Sequence, residues 1–122
     1  MQINGQDVWV YGRFTTATIL HVVRAVAARW PQAVVEHADG RDLGAVQTAL
    51  SADFTLPCEL FFYLNEDARQ AWDDLGRTDY NSEHMLYCII QPDCATLVSE
   101  GATIPMAQAL LESVSQSPPR SR

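Results

Sequence analysis

A chain of 122 residues is one domain's worth of polypeptide. At that length folding buries roughly two-thirds of the surface the unfolded chain exposes, so neither disulfides nor a structural metal are needed to hold a core. Hydrophobic residues at 48% against charged residues at 19% exclude a disordered chain, and 15 acids against 8 bases, a net charge of -7, count against nucleic acid and anionic lipid as partners.

The first element is a strand, Asp7–Phe14, rich in β-branched and aromatic residues. Thr15 then caps a helix, with Phe14 placed to staple onto Ile19. Ile19, Val22, Val23, Val26 and Trp30 share one face of that helix, His21, Arg24 and Ala28 the other, and Pro31 ends it. Ala33–Ala38 is a short strand closed by the turn dipeptide Asp39-Gly40. Leu43–Leu50 reads either way. Leu43, Val46 and Leu50 fit a helical face and Gly44 weakens it, and the spacing favours a short helix. Glu59–Leu64 is an apolar, aromatic strand. Asn65 caps a helix with Glu66 and Asp67 in its first turn, Ala68, Ala71, Trp72 and Leu75 on its apolar face, and Gly76 just past its end. Arg77–Ser82 is a polar loop. Met85–Gln91 and Ala95–Glu100 form a hairpin turned by Pro92-Asp93. Pro105 opens the last helix, with Ala107, Leu110, Leu111 and Val114 inward.

This order predicts a single α+β domain over residues 1–114: a mixed or mainly antiparallel sheet of about five strands packed against three to four helices. The serine- and proline-containing segment 115–122 is expected to be disordered. The stretch MQINGQDVWV does not read as a secretory signal, and the apolar stretch Ala17–Trp30 is too short and too charged to span a bilayer. Cys58, Cys88 and Cys94 are odd in number and lack C-x-x-C spacing, so all three are read as reduced thiols in a cytoplasmic protein.

Few residues suggest chemistry. Glu36, His37, Asp39 and Asp42 are the densest set of metal-ligating types, at no known ligand spacing and at a turn where solvated polar residues belong. Cys58 with His84 or His37 is the one conceivable nucleophile pair, but Cys58 adjoins a buried strand and Glu59 beside it would disfavour a thiolate. Neither a phosphate loop, nor G-x-S-x-G, nor H-E-x-x-H occurs, so no enzyme activity and no cofactor or metal is expected.

The charge is unevenly placed. Residues 1–35 carry +2, residues 36–112 carry -11, and the tail adds +2. Asp73 and Asp74 occupy the last turn of their helix, against the partial negative charge of its C-terminus. Asp79, Tyr80 and Glu83 follow in the loop. An acidic stretch carrying an aromatic anchor suits protein binding, with Asp73, Asp74, Asp79, Tyr80 and Glu83 as the partner-binding residues.

Residues 59–100 read ELFFYLNEDARQAWDDLGRTDYNSEHMLYCIIQPDCATLVSE, an apolar strand, a helix with a central Trp72 and terminal Gly76, then an Asn81–Met85 entry into a hairpin. This pattern resembles small bacterial immunity proteins encoded beside secreted polymorphic toxins, including type VI and contact-dependent effectors. The resemblance implies a cytoplasmic protein that binds and blocks one cognate toxin domain, possessing no catalytic residues of its own. An acidic inhibitor fits a basic toxin, for instance a nuclease with a phosphate-binding groove. Two other classes compete: an acidic secretion chaperone or adaptor, which as a dimer would display an apolar groove, and a small Cys- or metal-dependent enzyme built on Cys58 or on Glu36, His37 and Asp39. Both a monomer and a homodimer are compatible with the sequence.

Overall fold

Alternating apolar residues in six segments build one sheet. The computed structural model describes residues 7–38, 42–49, 54–76 and 85–116. In chain order they form β1 (Asp7–Tyr11), α1 (Thr16–Arg29), β2 (Val34–His37), β3 (Asp42–Ala45), α2 (Val46–Ala49), β4 (Cys58–Tyr63), α3 (Glu66–Asp74), β5 (Leu86–Gln91), β6 (Cys94–Val98), a 3-10 turn at Gly101–Thr103 and α4 (Ile104–Gln116). The strands lie in the order β1-β6-β5-β4-β2-β3, and every neighbouring pair is antiparallel. The expected single α+β domain is therefore the observed one.

The sixth strand is a correction. Leu43–Leu50, read as a short helix, is divided: Asp42–Ala45 pairs with β2, and only Val46–Ala49 is helical, a single turn. Gly44 explains the division. Its φ of +75° lies in the left-handed region, which interrupts a helix but suits an irregular edge strand, and the β2–β3 register shifts between Val35 and Glu36. Leu43 and Val46 still face the core, as their spacing implied, but from two different elements. The last helix runs to Gln116, two residues past the expected end of the domain, and residues 117–122 lie outside the described residues.

The first face of the sheet holds the main core. Val8, Val35, Leu60, Phe62, Leu86, Cys88, Ile90 and Leu97 project from the strands onto Ile19, Val22, Val23 and Val26 of α1 and Met106, Ala107, Leu110 and Val114 of α4. The helix periodicities read from the sequence produce these two inner faces. Phe14 is buried in the same cluster as Ile19, as a staple requires, and the Thr15 N–H donates to Thr18 Oγ1 at 3.1 Å to close the first turn of α1. At the entry to α4 the buried hydroxyls of Ser99 and Thr103 lie 2.8 Å apart, and Thr103 Oγ1 accepts from the Glu100 N–H, so the turn carries its polar atoms inward already paired.

Among the described residues the second face is covered by α3 alone. Trp72 is the one fully buried residue of that helix, and it stands edge-on to Phe61 at 5.1 Å and 6.2 Å from Tyr63, with Val34 and Met85 completing a small cluster. A nine-residue helix is too short to be stable on its own, so its packing on the sheet, centred on Trp72 with Ala68 beside it, holds it in place. Trp72→Ala is expected to lower the unfolding free energy by about 3–5 kcal/mol in urea titrations; a loss below about 1 kcal/mol would mean that Trp72 does not anchor α3.

Candidate protein-binding surface

α3 presents its carboxylates outward because its apolar side is used up by Trp72. Asn65 Oδ1 accepts from the Ala68 N–H at 2.8 Å, which fixes the start of the helix, and Glu66 and Asp67 occupy the favourable first turn. Gly76, at φ +80°, ends it, its N–H bonded to the Asp73 carbonyl at 2.9 Å. Asp73 and Asp74 are exposed in the last turn, as the sequence implied, and Asp74 Oδ1 accepts from Gln70 Nε2 at 3.0 Å. Of the five expected partner-binding residues these two are placed on the surface; Asp79, Tyr80 and Glu83 lie outside the described residues.

Beneath α3 is a polar element that the sequence did not reveal. Glu36 is 3% exposed on β2, and its carboxylate accepts from the Tyr63 hydroxyl at 2.6 Å. Arg69 reaches from α3 toward both sides of this layer. Its guanidinium donates to Glu66 Oε2 at 2.6 Å on the surface and lies 3.7 Å from Glu36 Oε2 below. The buried carboxylate thus receives a hydrogen bond from the sheet and a positive charge from the helix, the two conditions under which a buried charge is tolerated.

This geometry separates the members of the suspected metal set. Neighbours along a strand point to opposite faces, so Glu36 faces α3 while His37 enters the main core beside Phe54, with ring centroids 5.8 Å apart. Asp39 lies outside the described residues. Among the described residues no group of three or more His, Cys, Asp or Glu side chains could hold a metal ion. Cys58 and His37 do share the core face, but Cys58 is 3% exposed and Cys88 fully buried. Burial, reinforced by the neighbouring Cys58, pushes the Cys88 thiol far above its ordinary pKa. His84 lies outside the described residues. The thiols of Cys58 and Cys88 pack in the main core, while Cys94, also buried, lies on the second face opposite Tyr11.

The larger feature of the second face is what α3 leaves uncovered. Strand register places Trp9 of β1, Thr96 of β6, Ile89 of β5 and Glu59 of β4 in one row across four strands. Tyr11 and Val98 flank that row on the same face. Trp9 is 56% exposed and Tyr11 73%, while Ile89, Thr96 and Val98 are half-buried. Among the described residues no helix packs over this half. Its border is chemical: the Tyr87 hydroxyl donates to the exposed Glu59 at 2.5 Å, and Tyr87 touches Phe61, where the cover of α3 begins. The signal for this patch was present in the sequence. In DVWVY the small apolar residues alternate with Trp9 and Tyr11, so a strand that buries Val8 and Val10 must turn both aromatics to the other face.

Charge divides along the same plane. On the α3 side stand Glu36, Glu59, Glu66, Asp67, Asp73 and Asp74, with Arg69 the single base among the described residues and its guanidinium already engaged by Glu66. On the opposite side α1 exposes Arg24 and Arg29, and α4 exposes Glu112.

No protein-family model, curated protein or solved structure is detectably similar to this chain. No described helix is long and apolar enough to cross a membrane.

Two measurements check the site's chemistry. Tyr63→Phe removes a bond to a buried charge and is expected to cost about 1.5–3 kcal/mol of stability, whereas Tyr87→Phe, whose hydroxyl meets the exposed Glu59, costs less than about 1 kcal/mol. Equal losses would show that Glu36 is not held as described. Under native conditions at mildly alkaline pH the three thiols are expected to resist a thiol-specific reagent and to react together on unfolding; rapid native labelling of Cys58 would instead mark it as a reactive group.

Proposed function

We propose that this protein is a toxin-neutralising immunity protein, which binds a cognate basic toxin domain in the cytoplasm through its acidic side and has no catalytic role of its own. The observation that carries this reading is the gathering of carboxylates on the α3 side, where a half-open apolar face also lies, while the other side exposes Arg24 and Arg29 with Glu112 among them. Such a surface steers a basic partner and offers it something to bury against. The resemblance of residues 59–100 to immunity proteins points the same way.

A second reading, an acidic chaperone or adaptor for a secreted effector, draws support from the exposure of Trp9 and Tyr11. The two differ in what they bind: an immunity protein holds a folded toxin domain, an adaptor an unfolded segment.

A neighbouring gene is expected to encode a toxin domain, and co-expression with that domain is expected to protect cells. Reversing Asp73 and Asp74 to Lys is expected to slow association with the purified toxin domain by about tenfold at low salt, with the difference largely lost near ~0.5 M salt. Absence of protection and of binding would remove the immunity reading. Unchanged association rates would show that the end of α3 does not steer the partner.

A further inference from the structure

We propose that the open half of the sheet's second face, centred on Trp9 and Tyr11 and completed by Ile89, Thr96, Val98 and Glu59, is the docking surface for an extended, arginine- or lysine-bearing segment of the partner protein. This rests on the reading of the chain as a binder of a basic protein, and it locates the contact away from the end of α3.

Three observations converge on that occupant. The first is composition. Two large aromatics project from one strand at 56% and 73% exposure, beside half-buried aliphatic groups, which is the make-up of an interface anchor and not of a solvated sheet face. The second is charge. Glu59 ends the row that begins at Trp9, three strand spacings or ~14 Å away, and the acidic outer side of α3 lies beyond it, so a segment lying across the row can set one cation over the Trp9 ring and another against the carboxylate. Arg13, exposed at the end of β1, is the nearest described base, and Asp93 of the adjoining hairpin lies beside it in sequence register.

The third is backbone. β1 is an edge strand. The N–H groups of Gly12 and Phe14 donate inward to the Asp93 and Pro92 carbonyls. By the alternation of an antiparallel ladder, the N–H and C=O groups of Trp9 and Tyr11 then point outward, available to an extended chain laid along the edge. Two copies stacked face to face would bring the same carboxylates against each other, and an anionic surface would meet them directly. A basic segment is the occupant that the charges favour.

The test uses the full chain, isotope-labelled for NMR, and a short peptide of alternating arginine and valine, with alternating glutamate and valine as control, at low salt. The basic peptide is expected to shift the Trp9 indole and the amides of Trp9–Tyr11 and Thr96–Val98, and the acidic one to shift nothing. Trp9→Ala with Tyr11→Ala is expected to weaken binding about tenfold. Thr96→Arg, which places a like charge in the patch without removing an aromatic, is expected to weaken it as well. Thermal melts confirm that each variant is folded.

Shifts confined to α3, with unchanged affinity in both variants, would overturn the proposal. So would concentration-dependent changes at Trp9 without peptide, which would assign the face to a second copy, or a change there on deleting residues 117–122, which would assign it to the chain's own tail. Peptide docking here together with failure to protect cells removes the immunity reading alone. Protection that survives the Trp9 and Tyr11 substitutions removes this surface alone.

Discussion

A six-stranded sheet has two faces to cover, and this chain has helices enough for about one and a half. α1 and α4, with the single turn of α2, close the first face completely. Among the described residues the second has only α3, nine residues long, with one fully buried side chain, Trp72. Everything distinctive about the molecule follows from that shortage. The helix must be fixed by few contacts, so an aromatic wedge and a buried Glu36–Tyr63 pair sit beneath it. The strands it does not reach must end in solvent, and there the chain carries a tryptophan and a tyrosine where a free-standing sheet face would carry polar residues.

The buried polar pair and the open aromatic patch are complementary uses of one surface. Under α3 a carboxylate is desolvated and offset by the Tyr63 hydroxyl and Arg69. The helix turns Glu66, Asp67, Asp73 and Asp74 outward. Beyond the Tyr87–Glu59 bond the face is apolar with an acidic rim. Attraction at long range and burial at short range are thereby placed side by side, with carboxylates to guide a basic partner and aromatics to hold it.

Much of the fold was legible because strong periodicity and strong caps coincide. Ile19, Val22, Val23 and Val26 defined the inner face of α1, Asn65 and Gly76 the two ends of α3, and Pro92-Asp93 the hairpin turn. Leu43–Leu50 was not legible, since spacings of three and four also arise when a strand residue and a helix residue face one core, and only the positive φ of Gly44 separates them. Asp73 and Asp74 were found because charge at a helix end is a local property. The Glu36–Tyr63 bond links residues 27 apart in sequence, and no local pattern announces it. The Trp9 and Tyr11 patch lies between these cases. Alternation in β1 shows that the two aromatics share a face, but only the strand order shows that β1 lies at the edge farthest from α2 and β3, on the half that α3 does not cover.

The half-covered face can be measured without any partner. Acrylamide quenching of full-length single-tryptophan variants compares Trp9, with Trp30 and Trp72 replaced by Phe, against Trp72, with Trp9 and Trp30 replaced by Phe. If α3 covers one half of the face and leaves the other open, Trp9 is quenched nearly as readily as free tryptophan while Trp72 is almost fully protected. Equal protection of the two would contradict this picture, because the sheet would then have no open half to offer a partner.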